Sequence, residues 1–124
     1  LANASLVFDG RGGDWSLQDS MRLGGNFEVR GTGLVDTRGE SVSCRVLRQS
    51  GVANFLDLQT SRIYIHDAAG QFIPPRPQVT LGGGGYNASE AKLYAQEPDD
   101  QTQVRLRNRT DLLDACSLVR FLQS

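Results

Sequence analysis

Few residues in this chain offer chemistry, and His66 is the first of them. It is the only histidine. Asp57 and Asp67 lie near it in sequence, and a carboxylate that orients an imidazole makes a general base. A small hydrolase or isomerase using His66 with Asp57 or Asp67 is therefore one reading. The surroundings do not strengthen it. There is no Gly-x-Ser-x-Gly elbow for a nucleophile, and a zinc site built on one histidine would need both cysteines or a set of carboxylates at spacings absent here. Asp9 and Asp14 bracket a glycine-rich loop but fall short of the six to eight oxygen ligands that calcium takes, so a turn is expected there. Gly82-Gly83-Gly84-Gly85 is neither a phosphate loop nor a dinucleotide fingerprint. No metal, cofactor or catalytic set is expected.

Two outward strand faces are more informative. If Phe55–Gln59 and Arg62–Asp67 form a hairpin turning at Thr60-Ser61, strict alternation puts Leu56, Leu58, Ile63 and Ile65 inside. Phe55, Asp57, Arg62, Tyr64 and His66 then share the other face. Aromatic rings with acidic, guanidinium and imidazole groups suit a glycan or a protein partner. A second hairpin, Lys92–Gln96 with Gln103–Asn108 turning at Pro98–Gln101, would place Lys92, Tyr94, Arg105 and Arg107 outward. Directly opposed like charges there favour an anionic partner.

These faces need strands to carry them. Short segments alternate with period two: Ser5–Phe8, Phe27–Arg30, Val42–Leu47, Phe55–Gln59, Arg62–Asp67, Gln78–Leu81, Lys92–Gln96 and Gln103–Asn108. Glycine- and proline-rich connections separate them. A third hairpin is expected at Thr37-Arg38-Gly39-Glu40, with glycine supplying the positive φ. No repeat of fixed period stands out. The pattern predicts an all-β fold, mainly an antiparallel sandwich or barrel. Thr110 or Asp111 caps a possible short C-terminal helix, the alternative being a final strand over Cys116–Leu122.

At 124 residues, 39% hydrophobic and 22% charged, the chain is sized and composed for a single globular domain, 1–124. No apolar run reaches the length of a membrane-spanning helix, and a net charge of −1 argues against nucleic acid. Of 13 basic residues only Lys92 is lysine; arginine forks bind carboxylate, phosphate or sulfate with paired hydrogen bonds. Cys44 and Cys116 each sit in an apolar stretch, which predicts a disulfide contributing about 4 kcal/mol in the chain-entropy picture. With the small polar start at Leu1, this suggests a mature secreted or periplasmic protein whose signal peptide has been removed. Asn3, Asn87 and Asn108 begin Asn-x-Ser/Thr triplets, glycan acceptors in a eukaryotic secretory setting. The leading expectation is an exported, non-catalytic domain that binds a protein or glycan through a strand face. A small hydrolase or isomerase, and a structural subunit of a surface or envelope assembly joined through an edge strand, are the alternatives.

Overall fold

The computed structural model describes residues 4–75, 78–82 and 84–96, together with the backbone of Leu118–Leu122. Within them the chain winds through coils of three short strands. The first coil holds β1 (Leu6–Phe8), β2 (Gly13–Ser16) and β3 (Met21–Arg22). The second holds β4 (Asn26–Val29), β5 (Thr32–Asp36) and β6 (Val42–Cys44), and the third β7 (Val46–Gln49), β8 (Ala53–Asp57) and β9 (Arg62–Ile65). The fourth holds β10 (Val79–Thr80), β11 (Gly85–Asn87) and β12 (Lys92–Gln96); β13 (Leu118–Leu122) follows.

Each strand pairs, always in parallel, with the strand one coil away. The three sheets run β1-β4-β7-β10, β2-β5-β8-β11 and β3-β6-β9-β12-β13. This is a parallel β-solenoid. Parallel neighbours need a long crossover between them, and here the crossover is the rest of the coil.

The antiparallel sandwich or barrel expected from the sequence is thus not formed. Parallel sheets are usually covered on both faces and read as continuous apolar runs. A solenoid covers one face only, so its strands alternate just as antiparallel ones do. Both described hairpin turns exist as turns, Glu40 N–H donating to Thr37 O (3.0 Å) and Ser61 N–H to Leu58 O (2.8 Å). Each, however, joins strands of different sheets. The proposed turn at Pro98–Gln101 and strand Gln103–Asn108 lie outside the described residues. So does most of the proposed C-terminal helix, whose last part, Leu118–Leu122, is strand.

The core is a set of columns. Leu6, Phe27, Leu47 and Val79 stack in the first sheet, Trp15, Val35, Leu56 and Tyr86 in the second, and Met21, Val42, Ile63 and Leu93 in the third. Column members stand 20 or 21 residues apart until the segment after Ile65 lengthens the third coil. That segment, and the variety of apolar residues a column accepts, hide the repeat from the sequence. Phe27, Leu56, Ile63 and Leu93 are at most 1% exposed.

At the corner between the first two sheets the coils approach too closely for a side chain. Gly33 has φ +115°, and a Cβ there would collide with the backbone carbonyl of Gly13. One coil on, Asn54 takes the corresponding place. Its amide donates to Gly31 O (3.2 Å) and Ser50 O (2.7 Å), while its own oxygen accepts from buried Gln49 (3.0 Å). Gln49 also donates to Gly85 O (2.7 Å) and accepts from Gly82 N–H (3.1 Å). These bonds satisfy an amide pair inside the core, where an unmade bond is expensive.

Cys44 is a free, buried thiol, so the expected Cys44–Cys116 disulfide is not formed; Cys116 lies outside the described residues. Cys44 occupies a core column beside Ile65 and packs there as a small hydrophobe. Burial pushes its pKa up to about 12, a backbone hydrogen bond at Phe27 opposing the shift. A buried free thiol at Cys44 carries no signal of an oxidising compartment.

Candidate functional site

The structure divides the first proposed face between two sheets. Phe55 and Asp57 project from β8 in the second sheet, Arg62 and Tyr64 from β9 in the third. Asp57 accepts hydrogen bonds at Oδ1 from Gln59 N–H (3.0 Å) and Asn87 Nδ2 (3.0 Å). Asp36, its neighbour one coil back, accepts from Arg38 N–H (2.8 Å) and Gln59 Nε2 (2.7 Å). Both carboxylates stabilise turns in which Arg38 and Gln59 take φ values of 56° and 48°, one turn design used twice.

His66 is buried, 7% exposed. The segment that follows folds back beside it, with Phe72 bridging to it antiparallel. Ile73 then links the ladder, its N–H donating to Ile65 O (3.2 Å) and its carbonyl accepting from Gln96 N–H (2.9 Å). His66 Nδ1 bonds the Asp67 carbonyl oxygen (2.8 Å), and its Nε2 has no partner. The Asp67 carboxylate accepts from the N–H groups of Ala69 (2.9 Å) and Gln71 (3.0 Å). Asp57 and Asp67 are therefore both engaged in turns, and neither carboxylate is hydrogen-bonded to the imidazole. Among the described residues no three His, Cys, Asp or Glu side chains group as metal ligands. No helix there is long and apolar enough to cross a membrane.

What the structure does bring together is two residues of each proposed face. β9 and β12 are neighbours, with Arg62 beside Lys92 and Tyr64 beside Tyr94. The tyrosine rings stack at 4.8 Å between centroids and 13° from parallel, the spacing of the strands themselves. Ser43 of β6 continues that column past Tyr64, and Arg22 of β3 continues it past Ser43. On the other side, Arg120 holds the register position beside Tyr94. Buried flanking residues set the orientations: Ser61 and Ile63 around Arg62, Val42 and Cys44 around Ser43, Ala91 and Leu93 around Lys92. Arg105 and Arg107 lie outside the described residues.

The charge distribution of this face is one-sided. Its outward positions in β3, β6, β9 and β12 are Arg22, Ser43, Arg62, Tyr64, Lys92, Tyr94 and Gln96, with no carboxylate. The second sheet presents Asp14, Asp36 and Asp57 outward and no cation. The ion pair formed among the described residues is Arg30 with Asp9 (3.3 Å) at an exposed corner, and Arg22, Arg62 and Lys92 form no ion pair with a described carboxylate. Sequence reasoning missed Arg22 and Ser43 because only the coil register brings them to the tyrosines. Near the turns between these two sheets, Gln59, Thr60, Asn87, Ser89 and Glu90 line a polar cleft of about 250 Å³. No protein-family profile, curated protein or solved structure matches the chain.

Proposed function

We propose that this is a non-catalytic binding module that recognises an acidic glycan through the outward face of β3, β6, β9 and β12. The observation that carries the reading is the Tyr64–Tyr94 stack beside Arg62 and Lys92, cations without a carboxylate partner among the described residues. Two like charges on adjacent strands repel, and an anion laid across them relieves that repulsion. Arginine and tyrosine supply paired hydrogen bonds, apolar ring surface and hydroxyls, which together suit a polyol bearing carboxylates.

A protein partner fits this face less well. Interface centres are rich in apolar area, whereas the exposed large hydrophobics described are Val7, Val52 and Phe55, none on this sheet. Nucleic acid also fits poorly. A nucleic-acid duplex carries one charge per about 1.7 Å of axis, a denser line of charge than one carboxylate per sugar ring. The acidic neighbouring sheet and the net charge of −1 therefore oppose it more strongly.

Affinity electrophoresis through gels containing polygalacturonate tests the reading. The protein should be retarded there but not by a neutral glucan, and added salt should weaken the retardation. Arg62→Ala/Lys92→Ala should migrate freely in both gels. Equal retardation by the neutral glucan, or none by polygalacturonate, would sink the proposal.

A further inference from the structure

The column Arg22, Ser43, Tyr64, Tyr94 is uneven, and the unevenness has a shape. Tyr94 covers one face of the Tyr64 ring. The strand on the other side supplies only Ser43, a short side chain, with Arg22 one strand further. Strands stand about 4.8 Å apart, so the Arg22 and Tyr64 levels are separated by roughly 9.6 Å. A ring held between two flat groups needs about 7–8 Å, twice the 3.5–4.0 Å of atomic contact. By register there is thus room for one ring in a notch over Ser43, between the Tyr64 and Arg22 levels. The turn after Asp67 stands beside the Arg22 end: a methyl group on Gly70 would lie 3.5 Å from Arg22 Nη2.

We infer that the notch over Ser43, between Tyr64 and Arg22, is the subsite for a single uronate ring of the bound glycan. This rests on the glycan reading above and adds where one sugar sits and what selects it. The pyranose lies against Tyr64, its carboxylate meets the Arg22 guanidinium, and the Ser43 hydroxyl faces the ring edge. Arg62 and Lys92, one column over, take carboxylates of neighbouring residues in the chain. A nucleobase would also stack on Tyr64, and comparison with oligothymidylate separates it from a uronate.

Ser43→Tyr tests this directly. It extends the tyrosine column into the notch, leaves every cation in place, and puts a strand-favouring residue at an outward position. Titration with a short galacturonate oligomer should show affinity reduced roughly tenfold or more relative to the unsubstituted protein, at unchanged melting temperature. Arg22→Gln should weaken the same titration with the notch open, and Ser43→Leu serves in place of Ser43→Tyr if that variant does not fold. Unchanged affinity in the Ser43 variants, with loss in Arg62→Ala/Lys92→Ala, overturns the notch while leaving acidic-glycan binding intact. No binding of galacturonate by the unsubstituted protein overturns both. Tighter binding of oligothymidylate than of galacturonate assigns the stacking site to a base and also overturns the inference.

Discussion

Tyr64 and Tyr94 are 30 positions apart in sequence, yet their rings lie 4.8 Å apart at 13°, the pitch of the coil expressed in side chains. Because the backbone ladder sets that spacing, the pair is held in place before any ligand arrives, which lowers the entropic cost of binding. Both side chains point away from the core, so Tyr64→Ala should cost about 0.5–1.5 kcal/mol of stability, the worth of an aromatic pair. A loss of roughly 3–5 kcal/mol, typical of a truncated core aromatic, would show that Tyr64 is packed inside. Chemical denaturation of the variant separates the two.

The juxtaposition of Arg62 and Lys92 predicts a conflict between stability and binding. Arg62→Glu exchanges a repulsive neighbour pair for an attractive one, which should raise stability by about 0.2–1 kcal/mol. The same substitution should abolish retention on polygalacturonate. Thermal unfolding and affinity electrophoresis of one variant check both halves.

Gly33 is the position where the coil is least forgiving. Alanine there meets both a φ of +115° and the Gly13 backbone, and each strain costs about 1–3 kcal/mol. Gly33→Ala should therefore destabilise by roughly 3 kcal/mol or more. Gly39→Ala, with φ +74° and a nearest neighbour at 3.0 Å in the Thr60 side chain, should cost less. Denaturation midpoints of the two variants give the comparison.

Cys44 predicts a pH dependence at the alkaline end. Its thiol titrates near 9.0 when exposed and at about 12 in the fold. A pKa raised by folding gives stability that is complete below pH 9 and lost as pH rises toward 12. The protein should therefore lose stability over that range more steeply than Cys44→Ala, by up to about 1.4 kcal/mol per pH unit. In the folded protein at neutral pH, Cys44 should resist alkylation until denaturant is added.

Much of this was legible in the sequence, and the errors share one cause. Alternation is a local property, and it places Arg62, Tyr64, Lys92 and Tyr94 outward, as the structure does. Partnership is not local. Identical alternation serves a hairpin and a coil, and reading the Thr60-Ser61 turn as a hairpin paired Tyr64 with β8 in place of Tyr94 and Ser43. His66 shows the limit of alternation itself: an outward position by parity, it is buried because the segment after it folds back alongside. β2, β3, β5 and β11 were invisible because stretches such as Gly13-Asp-Trp-Ser16 have little strand propensity; the neighbouring coil supplies the pairing that makes them strands. The repeat in the turns, Asp36-Thr-Arg, Asp57-Leu-Gln and Asn87-Ala-Ser, is recognisable only once the register aligns it.

The basic, tyrosine-bearing sheet is the proposed binding face. Backbone amide shifts followed by NMR during titration with a galacturonate oligomer test it most directly, since they report position as well as affinity. Saturable shifts are expected at Ser43, Arg62, Tyr64, Lys92 and Tyr94, with Leu34, Phe55 and Asp57 of the acidic sheet unmoved. Shifts centred on the acidic sheet, or none at ligand concentrations in the millimolar range, would contradict it.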